Sequence, residues 1–160
     1  MSMLKVASSA LLTPDVFRAA VLQRDACQCV ICRLNLPQLH APFLWGPEDE
    51  GGVDVYHIMA SELWEDGGYH LDNGVTLCSG HQLDARHTLL LPEEIRQAAG
   101  IATTLLPPQL PRDTAYDRWG NPVLASGVRL RGEMFYQDQV QVALRAGNIL
   151  DQFTHLVKYP

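Results

Sequence analysis

Two short pairs of metal-binding residue types stand out in this sequence. Cys29 and Cys32 are separated by two residues, and so are Cys78 and His81. Each pair can bind one side of an ion from a tight turn, and three thiolates with one imidazole complete a tetrahedral zinc site. The ion would close residues 33–77 into one loop, which otherwise costs chain entropy. We therefore predict a structural zinc ion bound by these four residues.

The residues alone leave other arrangements of the thiols open. Cys29 and Cys32 can form a disulfide, or the thiols can be free with His81 simply buried. The chain has four cysteines, and Val6–Leu12 is too short and too polar for the core of a secretion signal. This combination favours metal binding over a disulfide scaffold. The fourth thiol, Cys27, is expected to be a small buried or half-exposed thiol, although it could replace one ligand.

Further segments, together with the ligand pairs, resemble the zinc-stabilised HNH endonuclease family. They are Val55–Ile58 and Leu71–Leu77, the second of which runs directly into Cys78. That family is built on a ββα-metal core of two short strands and a helix around a nuclease metal ion. Pro92–Gly100 and Tyr116–Tyr159 are also similar to phage and bacterial HNH proteins, some of which are joined to RNA ligase domains.

The resemblance implies roles for two residues. His57 matches the general base, which takes a proton from the attacking water, and imidazole suits this work because it titrates near neutrality. Asn73 matches the residue that holds the adjoining loop and orients this histidine. In such enzymes a divalent cation, here Mg²⁺ or Mn²⁺, bridges the scissile phosphate and stabilises the leaving oxygen.

Three positions depart from the pattern of the family. Tyr56 stands where His or Asp usually precedes the base, Gln82 where His follows the last zinc ligand, and Arg86 where His or Glu lies one helical turn on. Phenol and amide groups are poor ligands for a hard divalent ion, and guanidinium cannot bind one. The departures predict loss of the catalytic metal. Arg86 would then either bind a phosphate by bidentate hydrogen bonds or pair with a nearby acid.

Two arrangements would restore a catalytic metal. Asp54 lies two residues before Tyr56 and is expected on the same face of a strand, so its carboxylate would reach an ion there. In the other arrangement His81 is the catalytic ligand and Cys27 completes the zinc site, although the Cys-x-x-His spacing disfavours it.

The charge distribution limits how this chain binds nucleic acid. The net charge is −6, and no Lys or Arg occurs between Arg33 and Arg86. This excludes a protein that coats nucleic acid by bulk charge, although a local basic site remains compatible. Besides Arg86, the candidates are arginines that we expect to form a basic strip on a C-terminal hairpin: Arg112, Arg118, Arg129 and Arg131.

Turn and capping residues predict an α+β fold. Thr13-Pro14-Asp15 begins a helix that runs to about Arg24. Further predicted elements are strands at Val53–Ile58 and Gly74–Leu77, helices after Cys78, at Pro92–Gly100 and at Asp138–Ala146, and an exposed loop at Pro37–Gly52. We divide the chain into an HNH-like zinc-stabilised domain (13–100), a Pro-rich linker (101–113) and a C-terminal hairpin-plus-helix extension (114–160) that packs on it.

The sequence supports more than one functional hypothesis. The first is an HNH-type endonuclease that hydrolyses phosphodiester bonds of DNA or RNA. The alternative is a catalytically degenerate HNH module, a pseudoenzyme that binds nucleic acid or a protein partner, and a third is an accessory module for RNA end repair. No apolar run approaches the roughly 20 residues of a membrane helix, so we expect no membrane partner and a cytoplasmic location.

Overall fold

The computed structural model describes residues 10–34 and 52–156, with side chains as far as Phe153. The predicted loop at Pro37–Gly52 lies outside the described residues except for Gly52. The fold is α+β, as predicted. Its helices are α1 (Pro14–Arg24), α2 (Ser79–Arg86), α3 (Pro92–Ala99) and α4 (Asp138–Ala146). Its strands are β1 (Val53–His57), β2 (Gly74–Cys78), β3 (Ala115–Tyr116) and β4 (Pro122–Val123).

Helix α1 begins and ends where its sequence signals indicate. The Thr13 hydroxyl accepts a hydrogen bond from Val16 N at 3.3 Å, which caps the first turn. Phe17 and Val21 form its buried face. This face packs so closely on β2 that a Cβ atom at Gly74 would lie 2.5 Å from a Val21 methyl carbon. The helix therefore requires glycine at the start of β2.

Strands β1 and β2 pair antiparallel, with Val53 opposite Cys78 and His57 opposite Gly74. Helix α2 follows β2 without a loop. The strands differ from the predicted ones by one residue each, because β1 ends at His57 and β2 continues to Cys78. Two paired strands and a helix thus lie together at the position where the ligand pairs occur.

Two hydrophobic cores hold the described residues together. One contains Val75 and Leu77 of β2 with Ile31 and with Ile95 of α3. The other joins Trp64 and residues near it to the C-terminal segment, including Trp119, Leu144 and Phe153. The second core brings the C-terminal segment against the residues that follow β1.

The predicted C-terminal hairpin is present but short, since β3 and β4 pair over two residues each. Asp117 organises its turn from a fully buried position. One carboxylate oxygen accepts hydrogen bonds from the backbone N–H groups of Trp119 and Asn121, at 2.9 and 3.0 Å. The other accepts from the Asn121 side chain at 2.9 Å and pairs with Arg129 at 3.3 Å. Helix α4 begins and ends as predicted, and Gly147 follows it.

The helices described here are all too short or too polar to cross a membrane.

Candidate metal centre and adjacent cleft

The four predicted metal ligands converge on one point. The Nδ1 atom of His81 lies 3.3 Å from the Cys29 sulfur, 3.4 Å from that of Cys32 and 3.2 Å from that of Cys78. The sulfur atoms of Cys32 and Cys78 are 3.7 Å apart, and all four donor atoms lie within 4.8 Å of one another. These four residues can therefore hold a metal ion such as zinc, and we call them the metal-binding group.

The donor separations agree with tetrahedral zinc geometry. Zinc–sulfur lengths of about 2.3 Å and zinc–nitrogen lengths of about 2.0 Å give tetrahedral edges of roughly 3.8 Å between sulfurs and 3.5 Å between sulfur and nitrogen. The observed separation between Cys32 and Cys78 is 3.7 Å. All the cysteines of the chain are free, which removes the alternative of a Cys29–Cys32 disulfide.

The three thiols of the group cannot all ionise readily without a cation. Hydrogen bonds from Cys78 and then from His81 lower the pKa of Cys29 to about 3, although burial acts the other way. Bonding to this thiolate raises the pKa of Cys78 far above its usual range, and burial adds to the effect. Burial and then Cys29 raise the pKa of Cys32. One thiolate thus opposes ionisation of the other two, and a bound divalent ion would favour all three.

Backbone contacts bring the first ligand pair to β2. Val30 N donates to Thr76 O at 3.1 Å, which places the turn that carries Cys29 and Cys32 beside the strand. Asp25 strengthens this connection, because its carboxylate is buried and accepts from Thr76 N at 2.8 Å. The second ligand pair needs no such help, since it occupies the junction of β2 and α2.

Cys27 is not part of the metal-binding group. Its side chain is exposed, so the prediction of a buried or half-exposed thiol is wrong. Its backbone has φ 54°, a turn conformation that precedes the first ligand and turns this residue outward. The arrangement in which Cys27 completes the site and His81 moves to a catalytic ion is wrong, because the group consists of Cys29, Cys32, Cys78 and His81.

A cleft of about 440 Å³ lies beside the metal-binding group. Its lining includes Tyr56, Gln82 and Arg86, the three positions at which the sequence departs from the HNH pattern. We call this feature the cleft, and its remaining lining residues are Ser61, Glu62, Ser79, Leu83, Arg118, Trp119 and Gln139. The three departures thus share one concave surface with residues of the C-terminal segment.

Arg118 is the buried cation of the cleft. Its side chain is 9% exposed, and its guanidinium carbon lies 4.4 Å from the centre of the Tyr56 ring and 4.6 Å from that of Trp119. Its Nη2 donates to the backbone oxygen of His57 at 3.1 Å. Burial lowers the pKa of Arg118 from its usual value. The side chain therefore joins the C-terminal segment to the end of β1.

The other polar side chains of the cleft differ in the hydrogen bonds and ion pairs that they already form. Gln82 donates to Leu77 O at 3.0 Å, so its amide nitrogen is bonded. Glu62 accepts from Ser61 and Gln139, both at 3.2 Å. Burial acts to raise the pKa of Glu62, but hydrogen bonds from its own backbone, Gln139 and Ser61 outweigh it and lower the pKa. Arg86 is exposed and forms no ion pair with a carboxylate in the described part of the chain.

His57 does not line the cleft. Its ring stacks on Phe17 at 4.9 Å and meets Tyr69 edge-on at 5.1 Å. Its Nε2 atom is buried and has no hydrogen-bond partner among the described residues. Burial, followed by the nearby charge of Arg118, lowers the pKa of His57. The imidazole is therefore neutral at pH 7, but it faces α1.

Asn73 fixes the backbone directly after His57. Its side-chain oxygen accepts from Met59 N at 2.9 Å, and its nitrogen donates to Met59 O at 3.3 Å and Gly68 O at 3.1 Å. Its backbone oxygen also accepts from Ile58 N at 2.8 Å. Asn73 is fully buried, so its side chain braces a loop and does not meet solvent.

Asp54 forms an ion pair outside the cleft. Its carboxylate pairs with Arg18 of α1 at 2.9 Å, and both side chains are more than half exposed. It does not line the cleft that contains Tyr56. The structure therefore does not bring Asp54 to the positions where a catalytic ion is expected.

The predicted strip of exposed arginines is wrong for two of its four members. Arg118 and Arg129 are 9% and 5% exposed, because each points into the protein from the C-terminal hairpin region. Arg129 donates to Thr88 and pairs with Asp117, whereas Arg118 lines the cleft. Only Arg112 and Arg131 are exposed. The four arginines therefore do not form a continuous surface.

Sequence reasoning did not identify Glu62, Trp119 or Gln139 as cleft residues, and it assigned Arg118 to the wrong surface. Residues 118 and 139 are more than 50 positions from Tyr56 in sequence and reach it through packing of the second core. The spacing of neighbouring residues in the sequence therefore could not indicate that residues 118 and 139 lie near Tyr56. Comparison with protein-family models, with curated proteins and with solved structures gives no match for this chain.

Proposed function

We propose that this protein is a zinc-stabilised, HNH-like module that binds nucleic acid in the cleft without hydrolysing it. Zn²⁺ at Cys29, Cys32, Cys78 and His81 would be structural, holding the turn that carries the first ligand pair against β2 and α2. The cleft would bind the phosphate backbone of DNA or RNA. Cutting would be absent because the residues that bind a catalytic ion in the family are replaced.

The observation that carries the proposal is the convergence of the three departures. Tyr56, Gln82 and Arg86 line one cleft together with Arg118. Two guanidinium groups and one carboxylate, Glu62, are present there. This is a poor donor set for Mg²⁺ or Mn²⁺, which prefer several oxygen ligands. It is a suitable set for a phosphate group, because guanidinium groups bind phosphate by charge-assisted hydrogen bonds.

The position of His57 supports binding over hydrolysis. A general base must approach the attacking water within hydrogen-bond distance. The Nε2 atom of His57 is buried, and its ring lies between Phe17 and Tyr69 instead of lining the cleft. Proton transfer from a water molecule in the cleft would therefore require rotation of a packed ring.

An active endonuclease is the second candidate, and the bracing of β1 by Asn73 favours it. Asn73 fixes the backbone at Ile58 and Met59, which agrees with the orienting role that the resemblance implies. If His57 rotates on substrate binding, this brace would keep its backbone in position. Loss of cutting on substitution of His57 would support this candidate.

The test measures binding and cleavage on the same samples. Zinc-loaded protein is incubated with plasmid DNA and with single-stranded RNA, with Mg²⁺, Mn²⁺ or Zn²⁺ added, beside the variant His57→Ala. We expect both nucleic acids to be bound and neither to be cut under any of these conditions. Metal-dependent cutting that His57→Ala abolishes would contradict the proposal and establish the endonuclease.

A matched pair of arginine variants locates the binding. Arg86 and Arg145 are both exposed residues in the last turn of a helix, but only Arg86 lines the cleft. We expect Arg86→Ala to weaken binding by about three- to tenfold and Arg145→Ala to change it by less than about twofold, since one exposed phosphate contact contributes roughly 1 kcal/mol. Equal effects would mean that binding does not involve the cleft.

A further inference from the structure

Arg118 and Arg129 are both buried arginines of the C-terminal hairpin region, but only one has an anionic partner. Arg129 lies 3.3 Å from the Asp117 carboxylate and donates to the Thr88 hydroxyl and backbone oxygen. Arg118 forms no ion pair with any carboxylate in the described ranges 10–34 and 52–156. The one hydrogen bond that its side chain forms there is to the backbone oxygen of His57.

A buried cation without a direct ion pair is costly, because it has left water without gaining a carboxylate in contact. Glu62 lines the same cleft, and its charge acts on Arg118 from beyond ion-pair distance. The rings of Tyr56 and Trp119 offset part of this cost by cation–π contacts at 4.4 and 4.6 Å. Contacts of this kind attract the charge of the guanidinium but supply no acceptor in a conventional hydrogen bond to its N–H groups. The Nε atom of Arg118 is buried and has no partner in the part of the chain that is described.

A second unused donor lies at the same place. The Tyr56 hydroxyl is buried and has no hydrogen-bond partner among the residues described. Tyr56 and Arg118 both line the cleft, and Arg86 adds an exposed guanidinium to the same lining. Buried donors of this kind, beside a cleft that opens to solvent, are satisfied by water or by an acceptor group of a ligand, since no described residue supplies the acceptor.

We infer that Arg118, with Tyr56 and Arg86, binds one phosphodiester group of a nucleic acid strand without a divalent cation. The inference rests on the proposed function and specifies which chemical group the cleft binds and which residue anchors it. Arg118 comes from outside the strand-and-helix unit that carries the metal-binding group. The binding site is thus completed by the C-terminal segment.

The charge of the cleft favours a phosphodiester over a terminal phosphate. Arg86 and Arg118 contribute two positive charges, and Glu62 contributes one negative charge. The sum is one positive charge, which matches the single negative charge of a phosphodiester. A terminal phosphate carries roughly −1.5 to −2 at pH 7, and Glu62 would repel its second charge.

The test is fluorescence anisotropy of labelled single-stranded DNA and RNA oligonucleotides, with zinc-loaded protein and no added Mg²⁺. Arg118→Met removes the charge and keeps an apolar side chain against the rings of Tyr56 and Trp119, while Arg145→Met removes one exposed charge elsewhere. We expect Arg118→Met to weaken binding about tenfold or more, Tyr56→Phe about threefold, and Arg145→Met less than about twofold. Addition of Mg²⁺ should not strengthen binding, and a 5′-phosphate should leave the affinity unchanged within about twofold.

The outcomes distinguish failure of this inference alone from failure of the proposed function. If the unsubstituted protein binds no oligonucleotide, both fail. If it binds but Arg118→Met and Arg145→Met have equal effects, the inference is overturned and the proposed function stands. A requirement for Mg²⁺, or affinity that rises about tenfold with a terminal phosphate, also overturns it. If Arg118→Met does not fold, Arg118→Lys keeps the charge and should retain part of the affinity, whereas affinity equal to that of the unsubstituted protein would overturn the anchoring role.

Discussion

The metal-binding group and the cleft are adjacent, but they are assembled in different ways. The metal-binding group consists of two residue pairs, each contained in four consecutive positions, so one turn and one strand–helix junction suffice to position it. The cleft takes residues from β1, α2, the C-terminal hairpin and α4. The first depends on local geometry and the second on packing of the whole chain. A site of the first kind can be recognised from spacing alone.

The two regions also differ in the sign of their buried charge and in what could neutralise it. The thiol groups of Cys29, Cys32 and Cys78 oppose one another's ionisation, so a bound cation would stabilise this part of the fold. In the cleft the buried charge is the cation Arg118, and none of the described carboxylates forms a direct ion pair with it. We therefore expect substitutions in the first region to affect stability and substitutions in the second to affect binding.

The largest effect should come from loss of a metal ligand. Cys78→Ser is expected to abolish the bound zinc and the cooperative thermal unfolding transition, because structural zinc contributes about 10–16 kcal/mol and net stabilities are about 5–15 kcal/mol. Metal content by mass spectrometry and unfolding by circular dichroism measure both. Cys27→Ser is the control, since that thiol is exposed and outside the group. Equal losses in the two variants would contradict the assignment of ligands.

The next largest effect compares the two buried arginines. Arg129→Met should lower the free energy of unfolding by about 3–5 kcal/mol, because it leaves the carboxylate of Asp117 buried without its cation. Burial already raises the pKa of Asp117. Arg118→Met should change stability by less than about 1 kcal/mol, since no described carboxylate loses a partner. Urea unfolding of both variants tests this, and a larger loss for Arg118→Met would show that its role is structural.

A smaller effect is expected at the brace behind β1. Asn73→Ala removes the bonds to Met59 and Gly68 and leaves their buried groups unsatisfied, which should cost about 2–4 kcal/mol. Gln82→Ala removes one bond to Leu77 and should cost about 1 kcal/mol. Urea unfolding distinguishes them. An Asn73→Ala variant as stable as Gln82→Ala would mean that Asn73 does not fix the end of β1.

The smallest effect concerns pH. Burial lowers the pKa of His57, so on acidification the unfolded chain binds a proton near pH 6.5 before the folded protein does. Stability should therefore fall as pH decreases through this range. The difference in free energy of unfolding between about pH 7.5 and 5.5 should be smaller in His57→Phe than in the unsubstituted protein. Both retain His81, so its contribution cancels. An unchanged difference would show that the His57 pKa is not lowered.

The sequence predicted correctly those features that depend on residues close together in the chain. The hydroxyl cap and proline at the start of α1, and the two ligand pairs, gave correct positions because each depends on residues within one turn. The fates of Arg118 and Arg129 could not be predicted in this way. Arginine is usually exposed, and what buries these two is contact with Thr88, Asp117 and the aromatic rings. Such contacts arise only after the C-terminal segment packs.

The ion pair of Asp54 with Arg18 is likewise a contact between elements that the local sequence pattern does not predict. Strand alternation correctly predicts that alternate residues of β1 share a face, but it does not reveal that α1 supplies a cation 2.9 Å from Asp54. The HNH-like spacing likewise indicates where catalytic residues would occur without revealing that the ring of His57 stacks on Phe17. Placement of side chains relative to other elements is the information that one sequence lacks.

The most direct test of the account follows the Arg118 Nε–H resonance in a ¹H–¹⁵N spectrum of the zinc-loaded protein. A short single-stranded oligonucleotide is added without Mg²⁺. We predict that this resonance moves on titration, together with the backbone signals of Tyr56, Gln82 and Arg86, while that of Arg129 Nε–H stays in place. Changes confined to other parts of the protein, or an unchanged Arg118 signal at saturating oligonucleotide, would contradict the assignment of the cleft as the phosphate-binding site.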